Sequence, residues 1–438
     1  MTDRWADASN PFLAHRHHLD LYHRARAAGL DDLDYAELVT EADRRVAAVD
    51  GTGFVTTPVV VLEPDPDDPL AAGWPRRRPV VAKVETANVG GSHKARHLFG
   101  LLLGLLVEEA SAGGAGSRER AELAIASCGN AALGAAVVAA SAGRRLRVFV
   151  PVDANQTVVD RLHRLGAMVE TCPRVEGESG DPCVHALNRA VADGARPFTV
   201  QGPRCPAVID GARTLGLELA DQLDGLGLTA GDLYVQIGGG ALATAVMDGM
   251  IRARPHLPPP RLHPVQATAA HPYVAAWRAV APAVLAELGV DDPGDDRTRA
   301  EALARRLPRA ELAAALDRRA HLVTPWPGTP TSVAGGILDD VPYDWRTVMA
   351  HQISTGGWPV LADEATLERA AALAASLVTP PPDATGAAGL AGLLVDQGRP
   401  DGPIDGPGVA GPGRPPTLPT SGQGASVVLL TGVDRRWG

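Results

Sequence analysis

Short apolar blocks alternate with longer stretches in which apolar residues recur at helical spacing, and this alternation runs along the chain to about Met250. Val80, Val81, Ala82 and Val84 read as a buried strand. Asn88 to Ser92 is a turn, and Ala95 to Val107 is a helix carrying Leu98, Phe99, Leu101, Leu102, Leu105 and Leu106. The pattern repeats with strand Leu123 to Ala126 before a small-residue helix, Ala131 to Ala142, and with strand Leu146 to Pro151, helix Asn155 to Leu165 and strand Met168 to Thr171. A strand around Leu233 runs into three glycines and an alanine-rich helix, Ala243 to Ile251. Strands separated by single helices predict parallel βαβ units, hence an α/β fold with mostly parallel sheets.

The chain opens differently. From Asp31, a candidate N-cap, to Val49, the residues Leu38, Val39, Ala42, Val46 and Val49 fall on one helical face against acids and arginines. Residues 1–56 are therefore expected to form an N-terminal helical extension. A large domain is expected over 57–116 and 200–438, with a small mobile domain, 117–199, inserted into it. Residues 397–424 are dominated by Gly and Pro and are expected to be a flexible insertion before a final strand starting at Ser426.

Composition narrows the functional classes. At 438 residues and 45% hydrophobic content the chain can bury a large core. A formal net charge of -10, with basic residues only in short clusters such as Arg76-Arg-Arg78, argues against nucleic acid as a partner. No apolar run is long enough to span a bilayer: Leu98 to Val107 is short and flanked by Arg96 and Glu108. Met1 to Asn10 is polar, so no signal peptide is expected and the cytoplasm is the expected location. Cys128, Cys172, Cys183 and Cys205 show neither a Cys-x-x-Cys pair nor a histidine at zinc spacing, so reduced thiols and no metal site are expected.

The candidate chemistry centres on Lys94, in a tight turn directly before a strongly apolar helix. Burial there disfavours the ammonium, lowers its pKa and frees an amine to condense with a carbonyl. The competing reading is a lysine whose head reaches solvent, although a cation is unfavourable at the positive end of a helix. In Ser127-Cys128-Gly129-Asn130, the amides that open the next helix suit an anion; taken alone, Asn130 reads equally as a helix cap. In Leu233-Tyr-Val-Gln-Ile-Gly238-Gly239-Gly240-Ala241-Leu242, residues without Cβ atoms let backbone N–H groups close around a phosphate. The spacing does not match a dinucleotide fingerprint. A Walker loop is excluded because His93 precedes Lys94 and Ala95 follows it. Thr431 closes the last apolar strand, a place any β-branched residue can fill.

Together and in order, these stretches resemble a known family. Asn88-Val-Gly-Gly-Ser-His-Lys-Ala-Arg96 resembles the Asn-Pro-Thr-Gly-Ser-Phe-Lys-Asp-Arg signature of pyridoxal-phosphate enzymes of fold type II, the tryptophan synthase β-subunit-like superfamily. Ser127 to Asn130 is similar to that family's Ser-Ser-Gly-Asn loop, Gly238 to Leu242 to its phosphate cup, and Leu430-Thr431-Gly to the end of threonine synthases. Val265-Gln266-Ala and Asp383-Ala-Thr-Gly-Ala-Ala-Gly-Leu are smaller echoes. Departures are His93 for Phe, Cys128 for Ser, Ala131 for Thr or His and Asp383 for Glu, so the substrate pocket strays further from the pattern than the cofactor pocket does.

The resemblance implies two three-layer α/β/α domains and pyridoxal 5'-phosphate as cofactor. Lys94 would hold the cofactor covalently and act as the base. Asn130 would bond its phenolic oxygen, Gly238, Gly239, Gly240, Ala241 and Leu242 its phosphate, and Thr431 its ring nitrogen. Ser127, Cys128, Gly129 and Asn130 would take the substrate carboxylate. A neutral partner for the ring nitrogen makes the ring a weaker electron sink, which suits elimination at the β-carbon more than transamination. The expected reaction is threonine or serine ammonia-lyase-like, giving a 2-oxo acid and ammonia. The alternatives are threonine-synthase-like chemistry on O-phosphohomoserine, β-replacement on an activated serine, or a non-catalytic cofactor-binding relative. A homodimer is expected.

Overall fold

The computed structural model describes residues 5, 8–111, 121–174, 180–398 and 424–435. Its strands are β1 (Val59–Leu62), β2 (Val80–Val84), β3 (Leu123–Ala126), β4 (Leu146–Pro151), β5 (Met168–Cys172), β6 (Arg196–Pro197), β7 (Ala230–Gln236), β8 (Arg261–Ala267), β9 (Val360–Ala362) and β10 (Ala425–Leu430). Contacts divide the chain into two units. One holds Met1–Thr56 and Ala87–Glu218, the other Thr57–Thr86 and Leu219–Gly438.

The first unit is built on a four-stranded sheet in the order β5-β4-β3-β6, parallel throughout. Two helices connect its strands as the apolar pattern predicts, Asn130–Ser141 between β3 and β4 and Gln156–Arg164 between β4 and β5. The Asn130 helix is almost entirely small and buried, from Ala131 to Ala139. Small side chains let neighbours approach closely, and this helix packs against both the Lys94–Ser111 and Asp32–Asp50 helices. The opening of the chain forms helices Pro11–Ala14, Asp20–Ala27 and Asp32–Asp50. The longest is capped reciprocally: Asp31 accepts from the amides of Leu33 and Asp34, and Asp34 accepts from that of Asp31. It ends where Gly51 takes a left-handed φ of 85°.

The second unit carries a six-stranded sheet in the order β1-β2-β10-β7-β8-β9, parallel except for the β1–β2 pair. The last strand in sequence therefore sits in the middle, with Ser426 opposite Val80 on one side and Asp232 on the other. Parallel neighbours end on the same edge of a sheet, so Gln236, which ends β7, and Thr431, which follows β10, lie side by side. Open α/β sheets bind ligands at that carboxyl edge.

Two expectations change in detail. The Lys94 helix begins at Lys94 itself, and Gln397 is the last residue of helix Ala388–Gln397 rather than the start of an irregular insertion. Eight of its ten residues are buried, and an apolar helix packed against β7, β8 and β10 is held more strongly than the Gly/Pro-rich residues after it suggest. Most of the expected insertion, residues 399–423, lies outside the described residues. The cysteines are all free thiols, and Cys172 and Cys183, distant in sequence, share one core cluster with Ala124 and Phe149.

Candidate active site

The chain has only two lysines, Lys83 and Lys94. Lys83 is fully buried in β2, where its Nζ donates to the Thr57 carbonyl at 2.6 Å and to Gln222 Oε1 at 2.8 Å. Lys94 is half-buried at the first position of its helix. The turn before it explains that placement. Asn88 accepts from the Val89 amide at 2.8 Å, and Gly90 and Gly91 follow at φ 66° and 74°, a left-handed pair that side chains with a Cβ adopt only under strain. Asp50, the last residue of the Asp32 helix, accepts from the Gly90 amide at 2.7 Å and pairs with Arg161 at 3.0 Å. The N-terminal helices thus brace the lysine turn, a role their sequence did not disclose.

Two residues into the helix, Arg96 is fully buried and grips Glu218, also fully buried, at 2.5 and 3.2 Å, with Thr214 Oγ1 at 3.1 Å. The helix backbone passes so close to helix Ala207–Gly225 that a Cβ on Gly100 would lie 2.6 Å from Gly211 Cα. His97 bonds the Val208 carbonyl at 2.9 Å, and its Nε2 has no partner among the described residues. Burial, and next the charge of Lys94, push the His97 pKa down to about 3, so the ring is neutral at pH 7.

Ser127 to Asn130 stand where β3 turns into the Asn130 helix. Cys128 is exposed; Ser127, Gly129 and Asn130 are half-buried. Gly134 brings this helix to the lysine: a Cβ there would lie 3.2 Å from the Ala95 amide nitrogen, and one on Gly90 would lie 3.5 Å from Gly134 Cα. Within the first unit, then, the structure brings the Lys94 turn and the Asn130 helix together.

In the second unit, β7 ends at Gln236 and enters Gly238 to Gly240, and Gly240 at φ 103° opens helix Ala241–Ala253. The start of a helix presents amides without internal partners at the positive end of its dipole. A Cβ at any of the three glycines would meet a neighbour closely. One on Gly238 would lie 2.5 Å from Asp339 Oδ2, one on Gly239 3.0 Å from the Tyr343 ring, and one on Gly240 3.0 Å from Val348 and 3.1 Å from Asp344. The Gly239 carbonyl accepts from the Asp344 amide at 2.7 Å.

Gln236 donates from Nε2 to Thr431 Oγ1 at 2.7 Å, and also reaches the Gly386 and Leu429 carbonyls at 3.3 and 3.4 Å. The Thr431 amide donates to the Gly386 carbonyl at 3.2 Å, and Gly386 is held by Asp383 Oδ1 at 2.6 Å. Gln266 ties the next strand in, donating to the Ile237 carbonyl at 3.1 Å and accepting from the Tyr273 amide at 2.9 Å. The glycine turn, Thr431 and the Asp383 loop thus form one connected region of this unit. Asp339, Tyr343 and the bracing role of Gln236 escaped sequence reasoning. Only Gln236 left a signal, as a polar residue within the apolar run Leu233-Tyr-Val-Gln-Ile.

Taken unit by unit, the groups are of the chemical kinds that the expected cofactor calls for: an amine at Lys94 in the first, and helix-opening amides at a glycine turn and a buried neutral hydroxyl at Thr431 in the second. A family model described as pyridoxal-phosphate dependent enzyme matches residues 68–324, more than half of the chain. No curated protein sequence matches. Among solved structures, a T.th. threonine deaminase is 20% identical, covering 91% of this chain and 98% of that one, with a TM-score of 0.57. Threonine deaminase isoform 2 from Solanum lycopersicum, in its processed form, is 16% identical over 93% and 91% of the two chains, with a TM-score of 0.56. Diaminopropionate ammonia lyase from Escherichia coli is 16% identical over 92% and 90%, with a TM-score of 0.59. At these identities the likeness to solved structures is one of fold. On the family match, the chain belongs to the pyridoxal-phosphate-dependent enzymes and shares the fold of the type II group.

Proposed function

We propose that this enzyme is a lyase that removes the α-proton and the β-hydroxyl of threonine or serine as water, leaving an enamine whose imine tautomer water hydrolyses to a 2-oxo acid and ammonia. The observation that carries this reading is the placement of Lys94. Of the two lysines, Lys83 is fully buried in the middle of a sheet, and Lys94 is half-buried at a helix start beside a neutral His97. Lys94 would hold the cofactor's aldehyde carbon and, once substrate has displaced it, take the α-proton as a free amine. The bound cofactor supplies an electron-withdrawing ring that spreads the resulting charge.

Ser127, Cys128, Gly129 and Asn130 would hold the substrate carboxylate with the amides of a helix start, with Asn130 also turned to the cofactor's phenolic oxygen. Gly238 to Leu242 would grip the phosphate. Thr431, fixed by Gln236, would offer its hydroxyl to the ring nitrogen and leave that nitrogen without a carboxylate to protonate it, which favours elimination over transamination. Movement of residues 117–199 on binding substrate, assembly as a homodimer and a cytoplasmic location belong to the same proposal. Among the described residues no helix is long and apolar enough to cross a membrane.

A second reading, O-phosphohomoserine as substrate, draws on the Val265-Gln266-Ala and Leu430-Thr431-Gly echoes. Replacement at the β-carbon of an activated serine is a third. Incubating the cofactor-loaded protein with serine, threonine, O-phosphohomoserine, and O-acetylserine plus a thiol separates them. Oxo-acid release from the first two is the expected result; product only from a phosphorylated or esterified substrate would replace this reading.

A further inference from the structure

Two of the four thiols meet in the first unit, and the proposed chemistry uses neither. Cys172 is the last residue of β5, and Cys183 stands in the first turn of the next helix, Pro182–Ala192. Both are buried in one core cluster with Ala124, Phe149, Ala186, Leu187 and Ala190, and the helix packs across β3, β4 and β5. The Cys183 thiol donates to the Cys172 sulfur. Cys172 in turn donates to the Glu170 carbonyl at 3.8 Å. The other thiols are placed differently: Cys205 donates to the Pro197 carbonyl at 3.5 Å, and Cys128 is exposed. Burial pushes the Cys172 and Cys183 thiols up, so it is their pairing, and not an acidic thiol, that sets this site apart.

The pair sits where the sheet is least secured. β5 is an edge strand bonded to β4 alone, and Cys172 lies opposite Pro151, which has no N–H to give to the ladder. A covalent bond from Cys172 to Cys183 ties this strand end to the helix that covers the sheet. It also closes the chain between residues 172 and 183 into a loop, which removes freedom from the unfolded state.

We infer that Cys172 and Cys183 are a modification site, a dithiol that hydrogen peroxide converts to a disulfide stapling β5 to helix Pro182–Ala192. The Cys172 sulfur, as the acceptor of the Cys183 hydrogen bond, is the first to react. It attacks one peroxide oxygen, the O–O bond breaks, and the departing hydroxide takes the Cys172 proton away as water. The sulfenic acid left on Cys172 is attacked by the Cys183 sulfur. The S–O bond breaks as the S–S bond forms, and the hydroxyl leaves with the Cys183 proton as a second water. Two thiols are oxidised and one peroxide is reduced to two waters. A small dithiol reverses the change by thiol–disulfide exchange and is itself oxidised to a disulfide.

The test uses the cofactor-loaded full chain, treated with hydrogen peroxide, alkylated and digested with trypsin, since Arg174 lies between the two cysteines. Mass mapping is expected to find peptides joined from Cys172 to Cys183, and dithiothreitol to separate them. The thermal unfolding midpoint of the oxidised protein is expected to exceed that of the reduced protein by about 2–5 °C. Cys183→Ala is expected to show neither the joined peptides nor the rise. Peptides that stay apart in the wild type overturn the inference, as does Cys172 or Cys183 found joined to Cys128 or Cys205 or carried to a sulfinic acid. A joined protein whose midpoint does not rise overturns it too, because the bond is then no staple. None of these outcomes bears on the proposed lyase.

Discussion

Gln236 donates a hydrogen bond of 2.7 Å to the hydroxyl of Thr431, joining the ends of two strands that neighbour one another in the sheet although their sequences stand almost two hundred residues apart. The bond has a chemical consequence. A hydroxyl that accepts from Gln236 keeps its own proton to donate, which suits an unprotonated ring nitrogen and does not suit a protonated one.

Removing that donor exposes the value of the contact. Both side chains are buried, so Gln236→Leu should destabilise the protein by about 1–3 kcal/mol, because the groups it served lose their partner away from water. Thr431→Val should have a smaller effect. Urea unfolding of the two variants and of their combination checks this: a coupling near zero in the double-mutant cycle would show that the pair does not act as a unit.

The anchor of the Lys94 helix is more sensitive. Arg96 and Glu218 are both fully shielded from water, and Glu218→Gln leaves a guanidinium buried without its counter-charge. Such losses amount to about 3–5 kcal/mol. A paired Arg96→Met, Glu218→Leu variant removes both charges and should recover much of the difference. Unfolding midpoints that leave Glu218→Gln close to wild type would mean that water reaches the pair.

His97 predicts a pH dependence with a definite sign. Its pKa falls from the ordinary value of 6.5 to about 3 on folding, so below pH 6.5 the unfolded chain binds a proton that the folded chain refuses. Stability from this group is fully present above pH 6.5 and declines at up to about 1.4 kcal/mol per pH unit as the pH falls toward 3. His97→Asn, which keeps a donor for the Val208 carbonyl, should flatten that part of the profile. Equal slopes for wild type and variant between about pH 6.5 and 4.5 would contradict a neutral, buried His97.

How much of this was legible beforehand follows from the range of each interaction. The strands at Val80, Leu123 and Leu146 and the capped helix after Asp31 are written in neighbouring residues, and so is the Asn88-to-Lys94 turn, whose consecutive glycines the left-handed backbone requires. Resemblance to a family added the order of the four stretches. What stayed hidden is held together across long separations. Asp50 on Gly90, Glu218 on Arg96 and Asp339 against Gly238 each pair a motif residue with one from an unremarkable stretch, and no local pattern marks such a partner. The central position of β10 is similar, since periodicity predicts a strand but not its neighbours.

The most direct test uses the scarcity of lysine. Reducing the cofactor-loaded protein with borohydride, digesting it and mapping the peptides by mass should place a pyridoxyl-phosphate adduct on Lys94, while Lys83 stays unmodified. The absorbance of the bound cofactor should be lost in Lys94→Ala. An adduct on Lys83, or loaded wild-type protein that yields no adduct at all, would contradict the assignment of Lys94 as the residue that holds the cofactor.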